Sequence, residues 1–172
     1  IEEISATEEQ AAIKFLKSKN LLLKTNDLIG KSGVIGEETN RLLMYLIFTS
    51  RKTNNPLHCI SLGSSGVGKT HLQSKVAELI PDEDKIEITV LSANAFYYFN
   101  RTELRNKLIL IEDLDGAESV LYPLRELQSK KRITKTVVHK DRKGTTKTIH
   151  LTVEGPVSVA GCTTQESVYE DN

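Results

Sequence analysis

Eight consecutive residues, Gly63-Ser64-Ser65-Gly66-Val67-Gly68-Lys69-Thr70, fit the spacing G-x-x-x-x-G-K-[ST] at every fixed position. Glycine at 63, 66 and 68 lets the backbone turn tightly and aim successive N–H groups at a di- or triphosphate. Lys69 brings an ammonium to the outer phosphates, and the Thr70 hydroxyl is a ligand for Mg²⁺. His71 follows directly and is grouped with the loop as a phosphate-side contact. Such a loop needs a second acidic site, which Leu108-Ile109-Leu110-Ile111-Glu112-Asp113 supplies: four apolar residues bury a strand and two carboxylates emerge at its C-terminal end. Glu112 is expected to hold the Mg²⁺ shell and Asp113 to polarise an attacking water, the two being open to exchange. The run Pro156–Cys162 ends in Thr163-Thr164, and Thr163 is the expected contact to the γ-phosphate or the water.

These groups need elements to place them. An apolar strand, Leu57–Leu62, leads into the loop, and a helix over about Lys69–Leu79 leaves it with its positive end facing the anion. Ile86–Leu91, Lys107–Ile111 and Pro156–Cys162 read as further strands. A helix over Glu118–Ser129 carries Leu121, Leu124 and Leu127 on one side. Before them, Thr7-Glu8-Glu9-Gln10 reads as a capping box opening a helix to about Lys19. Leu21-Leu22-Leu23 then leads to a glycine-bearing loop, and Glu37–Ser50 is a second helix stopped by Asn54-Asn55-Pro56. Ser92–Arg105 is expected to be largely helical. Ile133–His139 and Thr145–Val153 form a β-hairpin. Apolar strands alternating with helices predict an α/β, three-layer sandwich around a mostly parallel sheet, with the hairpin inserted. The expected domains are a helical segment over 1–26 and an αβ core over 27–172.

The chain has 172 residues, with 23 Lys plus Arg against 23 Asp plus Glu, so net charge points to no partner. Local charge does: Lys130, Lys131, Arg132, Lys135, Lys140, Arg142, Lys143 and Lys147 crowd the hairpin against Asp141 alone. The four histidines lack metal-ligand spacing, and Cys59 and Cys162 sit in apolar runs as free thiols suited to a reducing cytoplasm. No apolar run is long enough to span a membrane, and no membrane partner is expected. A chain running from Ile1 to Asn172 reads as part of something longer.

With loop, acidic strand and terminal polar residue in that order, the chain resembles the AAA+ ATPases over roughly Asp27–Thr164. The resemblance implies ATP and Mg²⁺ as cofactors and a sheet of order 5-1-4-3-2, of which strands 1-4-3-2 are present and the fifth, with the helical lid, is missing. Gly33-Val34-Ile35-Gly36-Glu37 is similar to the family's adenine-lining segment, marking Val34, Ile35 and Gly36. The hairpin before the last strand narrows the resemblance to a group that contains minichromosome-maintenance-type helicases, viral and mobile-element helicases and primase-helicases, and bacterial enhancer-binding activators. The short segment between the second and third strands departs from the minichromosome-maintenance branch.

The resemblance implies a homo-oligomer, a hexameric ring, whose hairpins reach single-stranded or forked DNA through Lys140, Arg142 and Lys143 in DNA replication. A motor acting on protein and a weakly catalytic nucleotide sensor remain alternatives, the second because Glu112-Asp113 reverses the usual Asp-Glu order. Without a neighbour's arginine, dilute monomer is expected to hydrolyse ATP slowly, and Arg101, Arg105 and Arg125 are internal candidates for phosphate or inter-subunit contacts.

Overall fold

A computed structural model describes residues 4–89, 92, 94–115, 118–140 and 144–164. The chain divides into two compact units, residues 1–43 and 44–172, with the expected boundary near Asp27 falling inside the second helix.

In the first unit, α1 spans Ala6–Leu16 and is capped by Ser5 rather than Thr7. Ser5-x-x-Glu8 is a complete capping box: the Glu8 N–H donates to Ser5 Oγ at 3.3 Å, and the Ser5 N–H donates to Glu8 Oε2 at 3.0 Å. The Ser5 hydroxyl donates to the same carboxylate at 2.6 Å, and this bond, then that of the Ser5 N–H, holds the Glu8 carboxyl below its ordinary range. The triple leucine is no lead-in but the start of α2, Leu21–Lys31. Its inward stripe is Leu21, Thr25 and Ile29, and the threonine in the middle disguises the helical period.

α3 spans Glu38–Thr49, and its last turns bury Met44, Ile47 and Phe48 in the second unit. A 3-10 turn, Ser50–Lys52, follows, from which Arg51 (2.8 Å) and Lys52 (2.6 Å) both pair with Asp84. The strands are β1 (Cys59–Leu62), β2 (Lys85–Ile88), β3 (Lys107–Ile111), β4 (Arg132–Lys140), β5 (Thr146–Glu154) and β6 (Val157–Thr163); the helices are α4 (Lys69–Ala77) and α5 (Glu118–Lys130). The main sheet is parallel with order β1-β6-β3-β2, and β4 and β5 form a separate antiparallel ribbon. Setting the ribbon aside, that is the expected order 1-4-3-2.

All seven residues of β6 are buried because helices cover both faces of the sheet. Cys162 points to the α4 side, where its thiol meets Gln73. Val159 and Gly161 face α5 and Leu114, and a Cβ at Gly161 would lie 2.7 Å from Leu114. One apolar cluster runs from this face, through Ile109, Ile111, Val159, Leu124 and Leu127, to Ile133 and Val153 at the base of the ribbon. Each such side chain contributes about 1.5–3 kcal/mol by leaving water. Ser92–Arg105 is not the expected helix. Among its described residues only Ala95–Tyr98 coils, as a 3-10 turn with Phe96 fully buried in the cluster and Tyr98 66% exposed, and residues 101–106 are turns. Four adjacent aromatics have no single helical face to share, so a short turn that buries one of them wins.

Candidate functional site

The C-terminal ends of β1, β6 and β3 open into a cleft of about 340 Å³, lined by Ser65, Gly66, Gly68, Lys69, Thr70 and His71 on one side. Glu112, Asp113 and Asp115 face them, with Cys162, Thr163 and Thr164 closing the third side. This is where an open parallel sheet takes its ligands.

The loop between β1 and α4 has the backbone its glycines allow. Gly66 (φ +81°) and Gly68 (φ +92°) are left-handed, a conformation strained for any other residue. Gly63 serves by its small size, since a Cβ there would lie 3.3 Å from Val67 Cγ2. Gly68 caps α4 without a side-chain acceptor, which leaves the first-turn N–H groups directed at the cleft. The Lys69 ammonium donates to the carbonyls of Ser64, at 2.8 Å, and Gly63. Gly63 and Ser64 thus support the lysine from behind, and the Val67 side chain is 63% exposed.

β3 delivers Glu112 and Asp113 exposed at its tip. The Glu112 N–H donates to the Ile88 carbonyl at 3.2 Å, and the Leu114 N–H to the Cys162 carbonyl at 2.8 Å, so both neighbouring strands fix this turn. The Asp115 N–H donates to Asp113 Oδ1 at 2.8 Å. Thr163, 3% exposed, donates its hydroxyl to Asp115, whose carboxylate also takes the Thr164 N–H (3.0 Å) and hydroxyl (2.5 Å). The Thr163 bond, then the Thr164 bonds, hold Asp115 below the usual carboxylate range. Underneath, buried Gln73 donates to the Ile111 carbonyl at 3.3 Å and accepts from the Cys162 thiol at 3.6 Å, which ties α4 to β3 and β6.

The arrangement brings together Lys69, Thr70, His71, Glu112, Asp113 and Thr163 as expected from the sequence. To these the structure adds Asp115, whose bonds to Thr163 and Thr164 no local spacing announces. Gln73 and Cys162 were missed. Burial, and then the neighbouring Cys162 thiol, push the Cys59 thiol up to about 11; burial raises Cys162 as well. Both cysteines are free thiols and poor nucleophiles at neutral pH.

The adenine-type segment is described within the first unit alone. Val34 is buried, Ile35 is 93% exposed, and Gly36 has φ +73°. Buried Arg41 fastens this loop by donating to the carbonyls of Val34 (2.7 Å) and Gly36 (3.2 Å) and to Asn26 Oδ1 (2.5 Å).

On the ribbon, Lys140 is exposed, whereas Arg142 and Lys143 lie outside the described residues. The lysines before and near its base are engaged: Lys130 at the end of α5 with Glu126 (2.6 Å), Lys131 with Asn55 (2.6 Å), and Lys135 on β4 with Asn94 (2.5 Å) while 5.5 Å above the Tyr97 ring. Arg101 and Arg105, candidates for contacts to phosphate or a neighbour, both pair with Glu154 at the end of β5.

A family profile described as "MTBMA_p00010 P-loop domain" matches residues 3–163. The chain belongs to this family. No curated protein matches it. The P-loop domain is therefore an α/β fold of the P-loop NTPase kind. Among the described residues no helix is long and apolar enough to cross a membrane.

Proposed function

We propose that this P-loop domain binds ATP with Mg²⁺ and hydrolyses it as the motor core of a ring-forming AAA+ protein that moves along DNA, as a replication helicase or primase-helicase does. One observation carries the nucleotide part: the loop amides, Lys69, Thr70, the Glu112-Asp113 pair and Thr163 line one cleft. The fit to the nucleotide rests on the uncapped start of α4 behind left-handed Gly68, which offers N–H groups to an anion.

In this reading the amides of the loop and the Lys69 ammonium hold the outer phosphates and stabilise charge that develops on them. Thr70 and Glu112 hold Mg²⁺, which when bound supplies further positive charge at the phosphates. No group of three His, Cys, Asp or Glu among the described residues could hold a metal, in keeping with a cation carried largely by phosphate and water. Asp113 accepts the proton of the attacking water, and Thr163 fixes that water from β6. An aspartate at the base position is a short reach from the strand, which favours slow turnover.

DNA as the track is favoured by the basic residues of the ribbon segment, with Lys140, Arg142 and Lys143 close together in the sequence. A motor acting on protein, the second reading, would grip with apolar or aromatic side chains, and exposed Val138 on the same ribbon is the observation in its favour. The test is ATP turnover with and without single-stranded or forked DNA. Lys69→Ala and Glu112→Gln should each lower turnover on the order of 10²-fold or more, and the joint change of Lys140, Arg142 and Lys143 to Ala should remove DNA stimulation. Turnover unchanged by Lys69→Ala would sink the nucleotide reading. Stimulation by protein and not by DNA would select the second.

A further inference from the structure

Resting on the ATPase reading above, we infer that Asp115 is a positioning residue that sets the polarity of Thr163, so that Thr163 meets the attacking water as a hydrogen-bond acceptor rather than a phosphate oxygen as a donor. Three donors converge on the Asp115 carboxylate: the hydroxyls of Thr163 and Thr164 and the Thr164 N–H, the last 3.0 Å from one oxygen and 3.3 Å from the other. An ionised carboxylate only accepts, and a threonine hydroxyl has a single proton to donate. Bonded to Asp115, the Thr163 hydroxyl has given that proton away, and what it turns to any further partner is a lone pair. A γ-phosphate oxygen, itself an acceptor, gains nothing from it. A water does, because it can donate one proton to Thr163 and leave the other for a carboxylate.

The same residue orients that carboxylate, since the Asp115 N–H donates to Asp113 Oδ1 at 2.8 Å. Asp115 thereby joins the acidic turn after β3 to the end of β6, the two sides between which a water would be held. With its oxygens taken by donors, Asp115 is itself a poor base, which separates its task from that of Asp113.

The experiment measures kcat and ATP affinity for the intact protein, for Asp115→Ala, Thr163→Val, their double variant and Thr163→Ser, with Lys69→Ala as the reference for the site. Asp115→Ala and Thr163→Val should each lose kcat on the order of 10²-fold, the penalty for misplacing a reacting group. Their ATP affinity should stay within about threefold, because neither side chain grips phosphate in this account. The double variant should fall no further than the single ones, since both break one linkage. Thr163→Ser, which keeps the hydroxyl, should recover most of the loss. Multiplying losses in the double variant, an unchanged kcat in Asp115→Ala, or affinity falling in step with kcat would each overturn the inference. So would an intact protein that binds ATP through Lys69 and turns none over, which leaves the nucleotide site standing. Binding indifferent to Lys69→Ala would instead remove the ATPase reading and this inference with it.

Discussion

The cleft and the β4–β5 ribbon are held by opposite means. Around the cleft, buried strands end together and their polar groups fasten one another: Gln73 to β3 and β6, Asp115 to Thr163 and Thr164, Lys69 to the loop carbonyls. The ribbon pairs with itself over its outer half. There Val138 is 69% and Ile149 37% exposed, and the packed residues, Ile133 and Val153, lie at its root. A cleft that aligns a water between fixed groups needs its geometry beforehand, because an error of about 1 Å can cost 10²-fold in rate. A strip that follows a repeating phosphate backbone needs charge in the right region and little shape. The two constructions match the two tasks proposed for them.

The regions share one support, and removing it should erase the contrast. Phe96 is fully buried in the cluster that joins the ribbon root to the sheet face under α5. Phe96→Ala should destabilise the fold by about 3–5 kcal/mol, the usual range for emptying an aromatic from a core. Urea unfolding followed by two probes, one on the ribbon and one near the cleft, should shift together. Lys69→Ala should do the reverse and sharpen the difference. ATP turnover should fall on the order of 10²–10³-fold, as when one donor to developing charge is lost, with unfolding stability changed by no more than about 0.5 kcal/mol.

Residues 63–70 and the tip of β3 were legible in the sequence because backbone chemistry demands those types at fixed local spacing. The sheet order followed from the apolar strands and the resemblance together. Helix α2 was missed because Thr25 occupies a buried position in its stripe, and an apolar pattern cannot register a buried threonine. At α1, Ser5 and Thr7 both begin cap-like tetrads, and the choice was settled by the reciprocal bonds that Ser5 forms with Glu8. Pairing of Asp115 with Thr163 spans 48 positions and could not be read from local spacing. The burial of Phe96 with Tyr98 left outside depends in the same way on what packs against the turn.

A smaller effect tests how the ribbon root is anchored. Hydrogen bonds from Arg101, then Arg105, hold the Glu154 carboxyl below its ordinary 4.5. A lowered folded value means that the anchorage is complete above about 4.5 and is lost as pH falls through the folded value. Protection of the β4–β5 amides against hydrogen exchange, taken relative to the intrinsic rate at each pH, should therefore fall on acidification, and Glu154→Gln should reproduce part of that fall at neutral pH. Exchange in β3 and β6 should move less. Equal changes in both sheets would show that the ribbon has no separate anchorage.

The smallest expected change concerns a single charge. If Lys140 lies along a phosphate backbone, binding it displaces about one counterion, and the slope of log affinity against log salt should fall in magnitude by about 0.7 on single strands in Lys140→Ala. The loss should be the same for unrelated sequences, since a phosphate contact carries no base information. Lys130, by contrast, is already committed to Glu126 at 2.6 Å, and its replacement should leave the slope nearly unaltered. The two lysines, one at the end of α5 and one at the end of β4, would then differ because one spends its charge inside the protein and the other presents it to a partner. A slope insensitive to Lys140 would remove that residue from the track, and equal slopes for both variants would show that the ribbon acts as a diffuse field without defined contacts.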